Sequence, residues 1–183
     1  VDKKEMRVSG ALIVILLIAL AYVIVNQPRV CPQNPQINPQ INVYFCPEDS
    51  CGNAVISLID RANRSVDVAM YSFTHEGIAD ALIRAKERGV SVRVIIESEQ
   101  VSSYSQYGRL RAAGIEVKLD KNPYLMHNKF AVVDGKVVAT GSFNYTESAD
   151  KKNDENLIII WDPEIASKYE SEFEEMWEGV YGK

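Results

Sequence analysis

The amino-acid sequence predicts an α/β protein: a mixed, mainly parallel β-sheet flanked by helices, preceded by one transmembrane helix. Three observations carry that reading. β-rich runs alternate with amphipathic helical runs from Val43 to Leu119, a β-hairpin pattern follows at Phe130–Thr140, and an uninterrupted apolar segment stands near the start of the chain.

The elements follow in order. Val8–Pro28 contains no charged residue, and about 20 such residues span a bilayer. Lys3, Lys4 and Arg7 precede the run and Arg29 follows it, so the positive-inside rule expects residues 1–7 in the cytoplasm, 8–28 as an anchor and the rest outside. The alternative is a cleaved signal peptide. The small-x-small triplet Ala19-Leu20-Ala21 is its best support, but it lies inside the apolar run. Residues 29–42 are rich in Pro, Asn and Gln, with Asn34-Pro35-Gln36-Ile37 nearly repeated at once, and read as an extended stalk. The catalytic domain is expected over 43–183.

Within it, Val43–Phe45 reads as a short strand and Ala54–Ala62 as a helix with Val55, Leu58, Ile59 and Ala62 on one face. Ser65–Tyr71 is β-rich. Thr74 looks like the cap of a helix running to Arg88 and stopped by Gly89. Val90–Ile96 is a nearly continuous apolar strand. A helix over Ser103–Ala113 ends at Gly114, before a strand at Ile115–Leu119. Asp134-Gly135 between Phe130–Val133 and Lys136–Thr140 is a two-residue hairpin signal. Leu157–Trp161 is one more strand, and Asp162-Pro163 opens a last helix with Ile165, Tyr169, Phe173, Met176 and Trp177 as its apolar stripe.

Composition narrows the partners. The net charge is −5, and from Lys151 onward nine acids face four bases, so the chain does not coat nucleic acid through a global basic field. Cys46 and Cys51 flank four residues and suit a disulfide if the domain lies outside the cytoplasm; the alternative is two free thiols, with Cys31 left over. No further Cys or paired His completes a zinc site.

The chemistry concentrates in His127-Asn128-Lys129 and Gly141-Ser142-Phe143-Asn144. In extended backbone His127 and Lys129 share one face, as do Ser142 and Asn144, and the hairpin brings the two arms together. An ammonium and an amide can hold the non-bridging oxygens of a phosphodiester, and an imidazole can attack phosphorus or protonate a leaving oxygen. No carboxylate cluster for a catalytic metal stands beside them, so no cofactor is expected. Weaker candidates are His75 after the second strand, Glu97 and Glu99 after the third, and Tyr104, Tyr107 and Tyr124, which can stack on bases or simply pack.

His-x-Lys-x4-Asp followed by Gly-Ser-x-Asn resembles the motif of the phospholipase D superfamily. Lys152-Asn153-Asp154-Glu155-Asn156 and Val66–Thr74 resemble further segments of its small single-motif members, bacterial and archaeal endonucleases and a mitochondrial-surface member acting on cardiolipin or small RNA. The resemblance covers about Val43 to Val180 and implies a phospholipase D-like fold. It implies that His127 forms a phosphohistidine or acts as general acid, that Lys129, Ser142 and Asn144 hold phosphate, and that Glu155 orients His127. Asp134, Gly135 and Gly141 are structural members of the motif. With one motif His per chain, a homodimer sharing a single site is expected. Small size and the single motif favour an endonuclease acting on nucleic acid. A phospholipid hydrolase is the alternative, favoured by the membrane tether, and a non-catalytic module is disfavoured because every chemical position of the motif is filled.

Overall fold

The computed structural model describes residues 10–25 and 39–180, which fall into two units divided after Asn38. The first contains helix α1, Gly10–Val25, of 16 residues. At about 1.5 Å per residue it measures about 24 Å, less than the roughly 30 Å of a hydrocarbon core. No helix among the described residues is long and apolar enough to cross a membrane. The remainder of the expected anchor 8–28, residues 1–7 and the stalk as far as Asn38, with Cys31, lie outside the described residues.

In the second unit the strands are β1 (Gln40–Cys46), β2 (Ser65–Met70), β3 (Ser91–Ile96), β4 (Glu116–Leu119), β5 (Lys129–Val133), β6 (Val137–Gly141) and β7 (Glu155–Trp161). The helices are α2 (Cys51–Asp60), α3 (Glu76–Glu87), α4 (Tyr107–Ala112), α5 (Glu147–Lys151) and α6 (Pro163–Glu178). The strands form one sheet in the order β1-β7-β6-β5-β2-β3-β4. It is mixed, as expected, but only β2, β3 and β4 run parallel. The β5–β6 hairpin, β7 and β1 extend the sheet antiparallel from β2. The expectation of a mainly parallel sheet fails because the long loop after β4 returns the chain beside β2 running in the opposite direction.

Several boundaries move for local reasons. Gln40–Asn42, assigned to the stalk, pair with Ile159–Trp161 and open β1. His75, not Thr74, caps α3: its Nδ1 accepts from the Ile78 N–H at 3.3 Å. The helix expected from Ser103 begins at Tyr107. The short α5 was not anticipated; the Thr146 hydroxyl caps it by accepting from the Ala149 N–H at 3.1 Å. The hairpin loop has three residues, Asp134, Gly135 and Lys136, between the paired Val133 and Val137. Asp134 and Gly135 both take positive φ, 56° and 64°, and Lys136 N–H closes the turn on Val133 O at 3.0 Å. Cys46 and Cys51 are joined by a disulfide across the β1–α2 connection.

The sheet separates two cores. Val66, Val68, Met70, Val92, Val94 and Ile96 pack beneath α2 and α3. Ala69, Ile95, Phe130, Val132 and Val138 pack against Ala166, Phe173 and Met176 of α6. A charged fastener crosses this second layer. Arg93 on β3 donates to buried Asp67 on β2 at 2.6 Å and to Glu170 and Glu174 of α6 at 3.3 and 2.7 Å, with its guanidinium 4.9 Å from the Phe173 ring centre. Burial, then Asp67, pushes the Glu170 carboxyl up to about 7, against the pull of Arg93.

Because folded Glu170 holds its proton more tightly than the unfolded chain does, its contribution to stability is complete below about pH 4.5 and is lost as pH rises through about 7. Glu170→Gln should therefore flatten the fall in urea midpoint between pH 5 and pH 8. An unchanged pH slope would show that Glu170 does not titrate against Asp67.

Candidate active site

The site residues gather at one end of the sheet, where β2, β3, β4 and β6 finish and β5 and β7 begin. His127 stands in the loop just before β5, exposed, and Lys129 is the first residue of that strand. Lys129 Nζ lies 3.2 Å from His127 Nδ1 and donates to His127 O at 2.8 Å. The Tyr71 ring, following β2, meets the imidazole edge-on at 4.5 Å between centroids and lies 5.1 Å from the Lys129 ammonium. Tyr71 N–H donates to Asn128 O at 3.0 Å, which fixes the peptide between the two motif residues. Burial lowers the Lys129 pKa, and the charge of Glu155 partly offsets it.

Asn144 lies in the segment after β6, against the residue that follows Tyr71. Its Oδ1 accepts from the Ser72 N–H at 3.3 Å, so the amide is oriented by backbone and its NH₂ remains a donor. Ser142 is placed differently from the expectation that it holds phosphate. Its hydroxyl donates to Glu155 Oε2 and accepts from Asn156 N–H and Nδ2 at 3.0 and 3.3 Å. One donor and two lone pairs are the whole capacity of a hydroxyl, so Ser142 has nothing left for a ligand. Glu155 also departs from its expected place: it accepts from Ser142 and, at 3.1 Å, from Asn153. Among the described residues no hydrogen bond joins it to His127. The structure brings it into electrostatic range of Lys129 instead.

Two motif members are held for backbone reasons. Gly141 takes φ 153°, and a Cβ there would lie 2.2 Å from Asn156 O; only glycine lets β6 approach the start of β7 this closely. Asp134 accepts from the N–H groups of Asn63, Arg64 and Ser65 at 3.1, 2.7 and 3.1 Å. Burial works to raise its pKa, but these three donors outweigh it and hold the carboxyl below the usual range.

Other candidates disperse. His75 is buried, with Nε2 3.7 Å from buried Asp150 and 3.6 Å from Glu147, and it makes no contact with His127. Glu97, which could have lined the cleft, is buried, and its carboxylate accepts from Met126 N–H at 2.7 Å and Glu99 N–H at 3.1 Å. It thereby braces the loop that carries His127. Glu99 is exposed, as are Tyr104 and Tyr124 at 80% and 88%, so packing does not account for the latter two; Tyr107 is half-buried. Sequence reasoning missed Tyr71, Asn156 and Glu97 as supports of the site. Glu97 left a signal, an acid directly after the apolar end Val94-Ile95-Ile96 of its strand. Among the described residues no cluster of three or more metal-ligating side chains is present.

Residues 55–177 match the family model described as "Cardiolipin synthase, PLD-like domain". The chain is 42% identical over 131 residues to a mitochondrial cardiolipin hydrolase of Xenopus tropicalis, covering 71% of this chain and 62% of that one. A phospholipase D of Rickettsia felis is 36% identical over 156 residues, covering 80% of this chain and 78% of the relative. Among solved structures, the phospholipase D family member Nuc from Salmonella typhimurium superposes with a TM-score of 0.74 at 34% identity, over 78% of this chain and 97% of Nuc.

Gly141→Ala should lower stability by about 1–3 kcal/mol, the usual scale of local backbone strain. A urea midpoint equal to wild type would refute the close approach of β6 to Asn156.

Proposed function

This chain belongs to the phospholipase D superfamily, and from that membership we propose that it is a phosphodiesterase, acting on nucleic acid as an endonuclease through a phosphohistidine on His127. The observation that carries the proposal is the His127–Lys129 pair at the end of the sheet, with Asn144 oriented on the backbone of Ser72, next in the chain to the Tyr71 that packs on the imidazole. Lys129 and Asn144 donate to the non-bridging oxygens. Once Lys129 has turned to phosphate, the neutral His127 ring takes the tautomer with its proton on Nδ1, and Nε2 attacks phosphorus. The N–P bond forms, the P–O ester bond breaks, and the departing oxygen takes a proton. Water then attacks phosphorus and gives a proton back to the group that protonated the departing oxygen, the P–N bond breaks, and phosphate leaves on the second fragment. Glu155 is a positioning residue in this reading: through Ser142 and Asn153 it sits where its charge keeps Lys129 protonated.

The proton donor is His127 of the partner subunit, across the two-fold axis of a homodimer. A surface that suits such a partner adjoins the site. Ile41, Val43 and Phe45 are exposed on edge strand β1, and the register sets Phe45 opposite Asn156 and Cys46 opposite Glu155. The stripe therefore ends at the catalytic edge.

A second reading, hydrolysis of a phospholipid, is favoured by the charge-free run 8–28, whose described part is α1, and by the printed names of the frog and rickettsial relatives. In it the apolar run holds the enzyme at a bilayer with the catalytic domain outside the cytoplasm. Both readings use the same residues on phosphorus.

The full chain should cut single-stranded DNA or RNA in excess chelator. His127→Ala should lose about 10³-fold or more, and His75→Asn, which keeps a helix cap, should remain active. Trapped phosphoenzyme should carry at most one phosphate per two chains, on His127. Hydrolysis of cardiolipin with no cleavage of either nucleic acid would replace the first reading by the second. Phosphate on every chain would exclude the shared site.

A further inference from the structure

The imidazole of His127 stands exposed in a loop, yet a nucleophile must keep its line of attack. Among the described residues no carboxylate or backbone carbonyl is hydrogen-bonded to its ring, and the one hydrogen-bonding contact is Lys129 Nζ at 3.2 Å. That contact is given up when Lys129 turns to phosphate. The Tyr71 ring, 4.5 Å away between centroids, is the neighbour that stays.

Tyr71 is fixed at both ends. Its N–H donates to Asn128 O at 3.0 Å, and its hydroxyl accepts from Gln100 Nε2 at 3.0 Å. Tyr71 and Gln100 are both half-buried. Gln100 closes the 3₁₀ turn Ser98–Gln100 after β3, its N–H bonded to Glu97 O at 3.1 Å. That turn starts from Glu97, whose carboxylate accepts from Met126 N–H at 2.7 Å. One short segment thus braces the His127 loop through Glu97 and reaches the His127 ring through Gln100 and Tyr71.

We propose that Tyr71, clamped at its hydroxyl by Gln100, is the positioning residue that holds the His127 ring in its line of attack, the task expected of Glu155. An uncharged ring suits this task better than a carboxylate. A carboxylate on the far ring nitrogen favours the protonated imidazole, whereas the shared site needs one copy of His127 neutral as nucleophile and the other charged as proton donor. Packing against an aromatic ring fixes the plane of the imidazole by shape and leaves both nitrogens free to take or give a proton. The same ring lies 5.1 Å from the Lys129 ammonium, so it flanks both members of the pair. The proposal rests on the phosphodiesterase reading of His127 and adds to it the residue that aims the nucleophile.

Two measurements on the full chain separate this role from that reading. First, hydrolysis of bis(p-nitrophenyl) phosphate is compared in Tyr71→Phe, Tyr71→Leu and Gln100→Leu. Tyr71→Leu, which removes the ring, should lower kcat about 10²-fold at unchanged KM, since Lys129 and Asn144 still hold phosphate. Tyr71→Phe keeps the ring and drops the clamp. It and Gln100→Leu should each lose about fivefold, and the double variant no more than either. Second, the mobility of the His127 ring is followed by NMR relaxation in histidine-labelled protein without substrate. The chain has two histidines, and His75→Asn tells them apart. The His127 ring should be rigid in wild type and mobile in Tyr71→Leu. A rigid ring in Tyr71→Leu would overturn the positioning role whether or not any diester is cleaved. Wild-type kcat in Tyr71→Leu, or a loss carried by KM alone, would overturn it while the phosphodiesterase reading stands. If Tyr71→Leu does not fold, losses that multiply in the Tyr71→Phe/Gln100→Leu double variant would overturn the clamp. The change from rigid to mobile in a protein that cleaves no diester would keep the hold on the ring and overturn the phosphodiesterase reading.

Discussion

The hydroxyl of Ser142 ties the end of β6 to the beginning of β7, and the geometry of the catalytic edge hangs on it. It uses its one proton on Glu155 and both lone pairs on Asn156, and the two strands can come this near only because residue 141 has no side chain. A hydroxyl satisfied in this way is rigid, because breaking any one bond leaves a half-buried group without a partner. The rigidity passes outward along two routes: through Glu155 to the charge on Lys129, and through the backbone of 141–144 to Asn144, whose carbonyl is anchored on Ser72. Lys129 and Asn144 are therefore positioned by residues set behind them.

A similar division runs through the rest of the edge and the hairpin that leads away from it. Glu97 spends its carboxylate on the loop that carries His127, Tyr71 spends its backbone on Asn128 and its ring on the imidazole, and Asp134 spends its carboxylate on three consecutive backbone N–H groups at the far end of the hairpin. Each is a polar group on a short tether from a strand end. That suits a site assembled where some strands end and others begin.

Much of this was legible in the chain. The period-two placement of His127 and Lys129, the Asp-Gly turn and the alternation of elements are local patterns, and local patterns survive folding. Sheet direction was not legible beyond Leu119, since nothing in the eight residues from Asp120 to His127 states which strand the chain will rejoin. The partners of Ser142 and Glu155 escaped for a related reason. They lie 13 positions apart and meet only after β6 and β7 pair, so residue type indicated their chemistry and topology chose their neighbours. The burial of His75 came from α3 and α5 closing over it, and α5 is too short to announce itself by periodicity.

The register of β1 has a consequence for how the chain is made. Tyr44 pairs with Leu157, 113 positions later, and contacts of such separation form slowly. Synthesised first, the strand bearing Ile41, Val43 and Phe45 must wait beside the ribosome, unpaired, until nearly the whole domain has emerged. An apolar strand with a free edge is a template for the wrong partner during that interval. Two nascent chains on one messenger would meet in this state, so the order of synthesis adds to β1 a hazard that pairing with β7 only halves, because one edge of the strand stays free in the finished sheet.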